Sequence, residues 1–191
     1  MYLFFDTETT GLPKNYKAPI TDSKNWPRMV QIAWQQYNRQ GEMTREKVYI
    51  ITPEGYTIPK EASDVHGITT ERAIKEGVDL NKVLHEFRDL MEESEFLAAH
   101  NIGFDERILG AEFIRKAVPS LSKRLKRIDT MKESTEFCAI PGQYGFKWPN
   151  LTELHTILFG KGFEGAHDAL ADVRACADCY FELKKRKIVA H

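Results

Sequence analysis

An unbroken apolar segment at residues 1–5 leads directly into the acidic tripeptide Asp6-Thr7-Glu8. A run without polar alternation is typical of a strand that is buried on both faces, at the centre of a sheet covered by helices. Because alternate residues of a strand share a face, we expect Asp6 and Glu8 to project together from the strand end. Adjacent carboxylates repel each other unless they share a proton or a cation, and their hard oxygen atoms suit Mg²⁺ or Mn²⁺. The alternative is an ordinary pair of acids in a turn after the strand.

The rest of the hydrophobic pattern predicts further strands and then mainly helices. We expect strands at 29–37, 47–52, 96–99 and 127–129, and helices at 69–75, 80–91, 102–116, 151–159 and 169–183. Loops are expected at 14–27, 53–59 and 136–150, and helix caps at Asp79, Asn101 and Asp168. This order indicates an α/β domain with a mixed sheet, in which an antiparallel three-strand meander is joined to parallel strands.

Composition excludes several classes of protein. The 191 residues fit a single domain spanning 1–191, and no apolar run approaches the ~20 residues of a membrane helix. Three cysteines, an odd number, favour a reducing, cytoplasmic location, and we interpret Cys176 and Cys179 as ordinary helix positions. The formal net charge of −1 does not indicate a protein that coats a duplex. It is compatible with an enzyme that takes one nucleic-acid end into a metal site.

Three further polar residues extend the acidic pair. Asp105 lies in the first turn of a predicted helix, where the helix dipole alone would favour a carboxylate. Asp172 lies on the core-facing edge of the last predicted helix, where a carboxylate loses hydration unless a partner compensates. His167 precedes that helix and is either a surface residue or the acceptor of a proton from water. Taken together, these residues favour a two-metal centre that hydrolyses a phosphate ester.

Three ordered motifs in the chain carry a family resemblance. They are Phe4-Phe5-Asp6-Thr7-Glu8-Thr9-Thr10-Gly11-Leu12, Ala98-Ala99-His100-Asn101-Ile102-Gly103-Phe104-Asp105 and His167-Asp168-Ala169-Leu170-Ala171-Asp172. The linking segments Val30-Gln31-Ile32-Ala33 and Val65-His66-Gly67-Ile68-Thr69 agree with them. With these motifs the chain resembles the DEDDh-type (DnaQ-like) 3′–5′ exonucleases, the family of the DNA polymerase III epsilon subunit and RNase T.

The resemblance implies an RNase H-like fold, an α/β architecture with a mixed five-stranded β-sheet flanked by helices. It also implies that two Mg²⁺ (or Mn²⁺) ions are bound by Asp6, Glu8, Asp105 and Asp172, with Asp6 bridging the two. His167 would be the general base. The expected reaction removes 5′-nucleoside monophosphates from the 3′ end of a single strand, with DNA expected in preference to RNA.

A set of contacts to the 3′-terminal nucleotide is implied in the same way. These contacts are expected from Thr9, Thr10, Gly11, Leu12, His66, Gly67, Ile68, Asn101 and Phe104. Gly11 lacks a Cβ and lets a nucleotide approach closely, and an apolar side chain such as Leu12 or Ile68 can stack on any base. Without the resemblance, Gly11 belongs to a plain turn and Ile68 is a core residue before a helix.

Two other functions stay open. One is a proofreading or repair subunit that acts mainly by binding a polymerase or repair protein. The chain has only a short stretch after Asp172 to tether such a partner, which favours a free-standing enzyme. The other is endonucleolytic cleavage on the same fold. A homodimer is compatible with the resemblance, because RNase T-like enzymes act as dimers.

Overall fold

A mixed five-stranded sheet forms the centre of the protein. The structure, a computed structural model, describes residues 1–119, 121 and 124–191. The strands are β1 (Tyr2–Thr9), β2 (Met29–Tyr37), β3 (Met43–Ile50), β4 (Phe96–Ala99) and β5 (Lys126–Asp129). Their order is β3-β2-β1-β4-β5, with antiparallel pairing in β3-β2-β1 and parallel pairing in β1-β4-β5. The predicted meander joined to parallel strands is therefore confirmed, and β1 is the middle strand.

Helices connect and cover these strands. In the described part of the chain they are α1 (Lys60–His66), α2 (Thr70–Glu76), α3 (Leu80–Glu93), α4 (Ile102–Arg115), α5 (Thr130–Glu133), α6 (Thr135–Cys138), α7 (Leu151–Phe159) and α8 (Ala169–Lys185). A small hairpin of β6 (Pro141–Gly142) and β7 (Gly145–Phe146) precedes α7. No helix among the described residues has the length and apolar character needed to cross a membrane.

The alternation of side chains along β1 separates two hydrophobic layers. Leu3 and Phe5 pack in one cluster with the apolar face of α3 and with α4. Tyr2 and Phe4 pack on the opposite side with α7 and α8. Successive side chains of a strand point to opposite faces, so an apolar run here is buried on both sides, as the sequence predicts. Cys176 and Cys179 are buried in α8 as free thiols, in agreement with their interpretation as helix positions.

Several local predictions were wrong. β3 begins at Met43 and ends at Ile50, rather than spanning 47–52, because the first half of this edge strand is mostly polar and its bounds are set by pairing with β2. Helix α1 was missed, since it is only seven residues long and only Ala62 and His66 are buried. The segment 136–150 contains the end of α6 and the small hairpin rather than loop alone.

Asn101 does not cap α4 as predicted. Its side chain makes no capping hydrogen bond, and its backbone is left-handed with φ of 69°. The Asn101 N–H instead donates to Oδ1 of Asp129, a buried carboxylate at the end of β5. Asparagine tolerates the left-handed region better than most residues, so the turn from β4 into α4 is stabilised from β5.

The long loop at 13–27 packs against α4. Arg115 donates to the carbonyl oxygens of Ser23, Trp26 and Pro27. Trp26 is buried in the cluster shared with α3 and α4. This loop is therefore held by the α4 side of the sheet, where its carbonyl oxygens are compensated by one guanidinium group.

Candidate active site

Glu8, His167 and Asp172 come together at the end of the central strand. Glu8 belongs to β1, Asp172 lies in the first turn of α8, and α8 packs on β1. One ligand atom from each of the three residues lies within 4.8 Å of those of the other two. Asp6 lies two residues before Glu8 on the same strand and feels the charges of Asp105, Asp172 and Glu8. The predicted pair of acids is thus joined by residues distant in the chain.

Asp105 is the most enclosed of the four acids. Its side chain is buried in the first turn of α4, and its Oδ1 accepts hydrogen bonds from Thr7 N at 3.1 Å and Thr7 Oγ1 at 2.7 Å. Burial raises the pKa of Asp105 to about 7, although the two Thr7 hydrogen bonds act in the opposite direction. These bonds join α4 to β1 at the acidic centre, which a helix-dipole role alone would not require.

A side chain of β2 holds the start of α8 in position. Asp168 caps the helix by accepting from the backbone N–H groups of Leu170 and Ala171. The buried Gln31 side chain accepts from Ala169 N at 3.0 Å and lies 3.4 Å from Asp168 Oδ2. Sequence reasoning used Gln31 only as part of a linking segment and assigned it no role. Its amide fixes the first turn of α8, and hence the position of the carboxylate four residues after the cap.

His167 is exposed and precedes the α8 cap. Its backbone is left-handed, with φ of 70°, an unusual conformation for a residue with a Cβ. The His167 N–H donates to Asp172 Oδ2 at 3.1 Å, which compensates for the backbone geometry and links the loop to the carboxylate. The imidazole therefore lies at the acidic centre while remaining open to solvent.

Burial raises the pKa values of these acids, and repulsion between them adds to the effect at Asp6 and Glu8. The pKa of Asp6 lies well above its usual range, mainly because of burial and then because of Asp105 and Asp172. Burial, followed by the charge of Asp172, raises the pKa of Glu8 to about 8. Burial also raises the pKa of Asp172 to about 6, against the hydrogen bond from His167. A concentration of carboxylates with this property is what a divalent cation would stabilise, because it restores the ionised forms.

The pH dependence of stability should reveal this repulsion. The raised pKa values mean that the folded protein binds more protons than the unfolded chain between about pH 4 and pH 8. This contribution to stability is complete below about pH 4 and is lost as the pH rises through the folded-state values. We therefore expect the melting temperature in EDTA to be lower at pH 8.5 than at pH 5.5.

Mg²⁺ or Mn²⁺ should reverse the loss at pH 8.5. A cation at 100 times its dissociation constant adds about 2.7 kcal/mol, or roughly 5–10 °C for a chain of this size. Differential scanning fluorimetry measures both effects, and Glu8→Gln should show a smaller pH dependence than the wild type. Equal melting temperatures at pH 5.5 and pH 8.5, both in EDTA and with the cation, would contradict the assignment of these acids to a cation site.

Two cavities adjoin the acids. The first, here called the catalytic cavity, has a volume of about 260 Å³ and is lined by Asp6, His100, Asn150, Leu151, Thr152, Phe163, Ala166, His167 and Asp172. The His100 ring contacts Thr130 Oγ1 through Nδ1 and the Pro149 carbonyl through Nε2, each at 3.0 Å. Burial lowers the pKa of His100, so a neutral ring connects the acidic centre to the segment before α7.

The second, here called the apolar cavity, has a volume of about 500 Å³. It is lined by Thr7, Glu8, Thr9, Thr10, Gly11, Leu12, Pro59, Glu61, Ala62, Val65, His66 and Phe104. Six of the nine predicted substrate contacts are in this set. Leu12 is 73% exposed, and Gly11 has φ of 139° with open space where a Cβ would lie, so only glycine adopts this turn freely.

Three predicted contacts are placed differently. Ile68 is 1% exposed and packs with Val30, Ile58, Ala62 and Ala73, so its side chain lies in the core rather than on the surface of the apolar cavity. Gly67 ends α1 in a left-handed conformation, and Asn101 lies outside the apolar cavity lining. Ile68 is a core residue in this structure, because α1 and α2 close over it.

Val65, and not Ile68, lines the apolar cavity. It is 55% exposed on α1 and lines the apolar cavity beside His66. Nδ1 of the buried His66 accepts from Ile68 N at 3.1 Å, while its Nε2 has no hydrogen-bond partner among the described residues. The hydroxyl groups of Thr9 and Thr10 are engaged with Gly11 O and Arg28 N, so they shape the turn. An exposed valine directly before His66 was the only available signal for this role.

Comparisons with known proteins agree with this geometry. Residues 3–180 match the model of the RNase T family, described as exonuclease. The PolC-type DNA polymerase III of Streptococcus pneumoniae serotype 2 (strain D39) is 29% identical over 131 residues. The corresponding polymerase of Streptococcus thermophilus (strain ATCC BAA-491) is 30% identical over the same length. Each match covers 69% of this chain and only 8% of the polymerase.

Solved structures with a similar fold include exonuclease I. One structure of that enzyme superposes with a TM-score of 0.77 at 22% identity, covering 98% of this chain and 42% of the other. The Escherichia coli enzyme in complex with a dT13 oligonucleotide superposes with a TM-score of 0.76 at 22% identity, covering 97% and 41%. The chain thus spans less than half the length of these exonucleases and a small part of the polymerases.

The sheet order and the acids on its middle strand define an RNase H-like α/β protein with an acidic centre. Fold, motifs and family match agree on this class. The chain belongs to the RNase T exonuclease family, one of the DnaQ-like 3′–5′ exonucleases.

Proposed function

We propose that the protein is a metal-dependent 3′–5′ exonuclease that acts on single-stranded nucleic acid, DNA in preference to RNA. It would hydrolyse the terminal phosphodiester bond and release 5′-nucleoside monophosphates. The observation that carries this proposal is the convergence of Glu8, His167 and Asp172 within 4.8 Å, with Asp6 and the buried Asp105 beside them. Residues 3–180 match one family model and share one sheet, which supports a single exonuclease domain over 1–191.

The acids fit divalent cations. Asp6, Glu8 and Asp172 would hold one Mg²⁺ or Mn²⁺, and Asp6 would share a second with Asp105. The raised pKa values of these acids show that the uncompensated cluster disfavours its own charge, which supports this assignment. The bound ions would supply the positive charge that stabilises the attacking and leaving oxygens of the phosphodiester. A neighbouring exonuclease I complex with single-stranded DNA is described as zinc-bound, which supports metal use.

His167 would act as the general base. Its exposed imidazole can receive the proton of the attacking water and pass it to solvent. The hydrogen bond from His167 N to Asp172 Oδ2 holds the backbone of His167 beside the acids. The imidazole is therefore carried by an anchored residue and not by a free loop. Asp172 therefore has two functions, as a metal ligand and as an acceptor that orients the base.

The apolar cavity would receive the terminal nucleoside. Leu12, Val65 and Phe104 provide apolar surfaces to the sugar and base, and none of them can read a base edge by hydrogen bonds. This lining supports cleavage without sequence preference. The dT13 complex of the similar exonuclease I supports single-stranded DNA as the substrate class.

A gel assay tests the proposal directly. Single-stranded DNA and RNA of matched sequence, labelled at the 5′ end, are incubated with the protein in Mg²⁺, Mn²⁺ or EDTA. We expect a ladder that shortens from the 3′ end only with metal, and faster with DNA. A closed circular single strand should remain intact, because the reaction requires an end. Cleavage of the circle would contradict an exonuclease, and no metal-dependent cleavage of either strand would contradict the proposal as a whole.

A role beside a polymerase is the second candidate. The curated relatives are PolC-type DNA polymerases, and the chain matches only a part of them. A proofreading or repair subunit would form a stable complex with a polymerase. A homodimer would form in the absence of any other protein. Light scattering of the purified protein, alone and with a candidate polymerase, distinguishes a monomer from either assembly.

A further inference from the structure

A hairpin with exposed aromatic side chains lies between α6 and α7. Residues 141–148, here called the aromatic hairpin, contain β6, β7 and the two residues that follow. Tyr144 is 93% exposed, Trp148 60% and Phe146 48%. Three exposed rings within five residues form an apolar contact surface, which a protein with a sufficient core does not need for folding.

The base of the aromatic hairpin is fixed to the fold. Asn150 and Glu153 form a reciprocal capping box at the start of α7, and Lys147 Nζ binds the same Glu153. The Pro149 carbonyl lies 3.0 Å from Nε2 of His100, which lines the catalytic cavity. The exposed aromatic rings therefore belong to a hairpin whose base is held in place by hydrogen bonds.

The aromatic hairpin directly precedes a chain segment that lines the catalytic cavity. Trp148 is two residues before Asn150, which lines that cavity together with Leu151 and Thr152. Two residues of extended chain span at most about 7 Å, roughly the rise of two stacked bases. A strand whose 3′ end lies at Asp6 and leaves past Asn150 would meet these rings at once.

The charges around the rings favour bases over phosphates as their contact. Lys147 is paired with Glu153, and Lys132 Nζ lies 3.3 Å from Asp129 Oδ2 and 5.9 Å from the centre of the Trp148 ring. Since both lysines already have acidic partners, this surface has little net positive charge, and its exposed groups are mainly aromatic faces. Unstacked bases of a single strand have the complementary flat surfaces.

We propose that the aromatic hairpin binds single-stranded nucleic acid just 5′ of the nucleotide being removed, through stacking of bases on Tyr144 and Trp148. This inference rests on the proposed exonuclease function and adds to it a contact region that only longer substrates reach. Dinucleotides end within the catalytic and apolar cavities, whereas longer strands extend over the hairpin.

Steady-state kinetics with substrates of two lengths test the proposal. Tyr144→Ala and Trp148→Ala should each raise KM for a twelve-residue oligothymidylate by about tenfold, as expected for the loss of one stacked base. KM for a dinucleotide and kcat for both substrates should stay within twofold of the wild type. Trp148→Phe keeps an aromatic face and should restore most of the affinity. Phe159→Ala removes a partly exposed ring of α7 that lines neither cavity, and it should have no effect.

Fluorescence gives a readout that does not depend on cleavage. The chain has three tryptophans, and Trp26 and Trp34 are buried while Trp148 is exposed. Quenching by iodide in EDTA therefore reports mainly on Trp148, and the twelve-residue oligonucleotide should protect it. The weakening of binding caused by Tyr144→Ala should be the same at low and high salt, because no counterion release is involved.

Specific results would overturn the inference. Unchanged KM values in both alanine variants, an equal loss on the dinucleotide, or no protection of Trp148 would each exclude stacking at the hairpin. A dimer that dissociates in Trp148→Ala, with unchanged oligonucleotide affinity, would assign the surface to a second copy of the chain instead. Protection of Trp148 in EDTA by an oligonucleotide that the protein does not cleave in Mg²⁺ or Mn²⁺ would support this inference while contradicting the proposed exonuclease.

Discussion

Replacing Asp6 with asparagine is expected to lower exonuclease turnover by on the order of 10³-fold or more while the protein remains folded. The charges of Asp105 and Asp172 act on Asp6, which is the acid assigned to both cations. Asparagine keeps the shape of the side chain but removes the charge that binds metal, and the loss of several kcal/mol of charge stabilisation corresponds to this factor. Initial rates with labelled single-stranded DNA measure the effect.

The stability of the same variant separates a missing ligand from a damaged fold. Burial already disfavours the ionised form of Asp6, so a neutral amide should leave the melting temperature in EDTA at pH 8.5 equal to or above that of the wild type. The increase caused by Mg²⁺ should disappear. Asp178→Asn, an exposed acid on the same helix as Asp172, serves as the matched control and should retain activity. Wild-type rates in Asp6→Asn, with an intact metal-induced shift, would contradict the assignment.

Replacing His167 with asparagine is the second change with a large expected effect. The loss of a general base reduces rates by typically 10²–10⁴-fold, and we expect kcat to fall within that range with little change in KM. Asparagine is chosen because it tolerates the left-handed backbone of position 167, so the N–H bond to Asp172 is kept. An alanine would combine loss of the base with backbone strain.

The pH profile identifies the chemical role. A general base must be unprotonated to accept a proton from water, so wild-type activity should rise with pH. In His167→Asn that rise should be absent at saturating Mg²⁺, because the bound cation keeps the carboxylates ionised. His85→Asn changes an exposed histidine of α3 and should leave both rate and profile unchanged. A His167→Asn enzyme with most of its activity and the wild-type profile would remove His167 from this role.

Local sequence patterns predicted the main layers of the fold. The apolar run of β1, the repeat of α3 and the stripe of α8 each bury a continuous face, and burial leaves a periodic signal in the chain. Elements with little buried surface escaped this reasoning. β3 lies exposed at the sheet edge, and α1 is short, so both depend on their neighbours for their conformation.

The site shows the same division. Asp6 and Glu8 could be paired from their spacing alone, because residues two positions apart on a strand point to the same face. Asp105 is held beside these two acids by hydrogen bonds from Thr7, and Thr7 and Asp105 are 98 residues apart in the chain. Local sequence did not indicate that Ile68 is buried under α1 and α2 while Val65 lines the apolar cavity, because both facts depend on how these helices pack.

The sequence by itself determined the elements and the chemical types, because strand alternation, helix period and motif order depend on residues near each other in the chain. Only the tertiary structure decided the raised pKa values, the two cavities and the anchored aromatic hairpin. These properties arise when packed layers remove water from groups that are distant in sequence. Desolvation and charge repulsion depend on distances in space, which no local pattern contains.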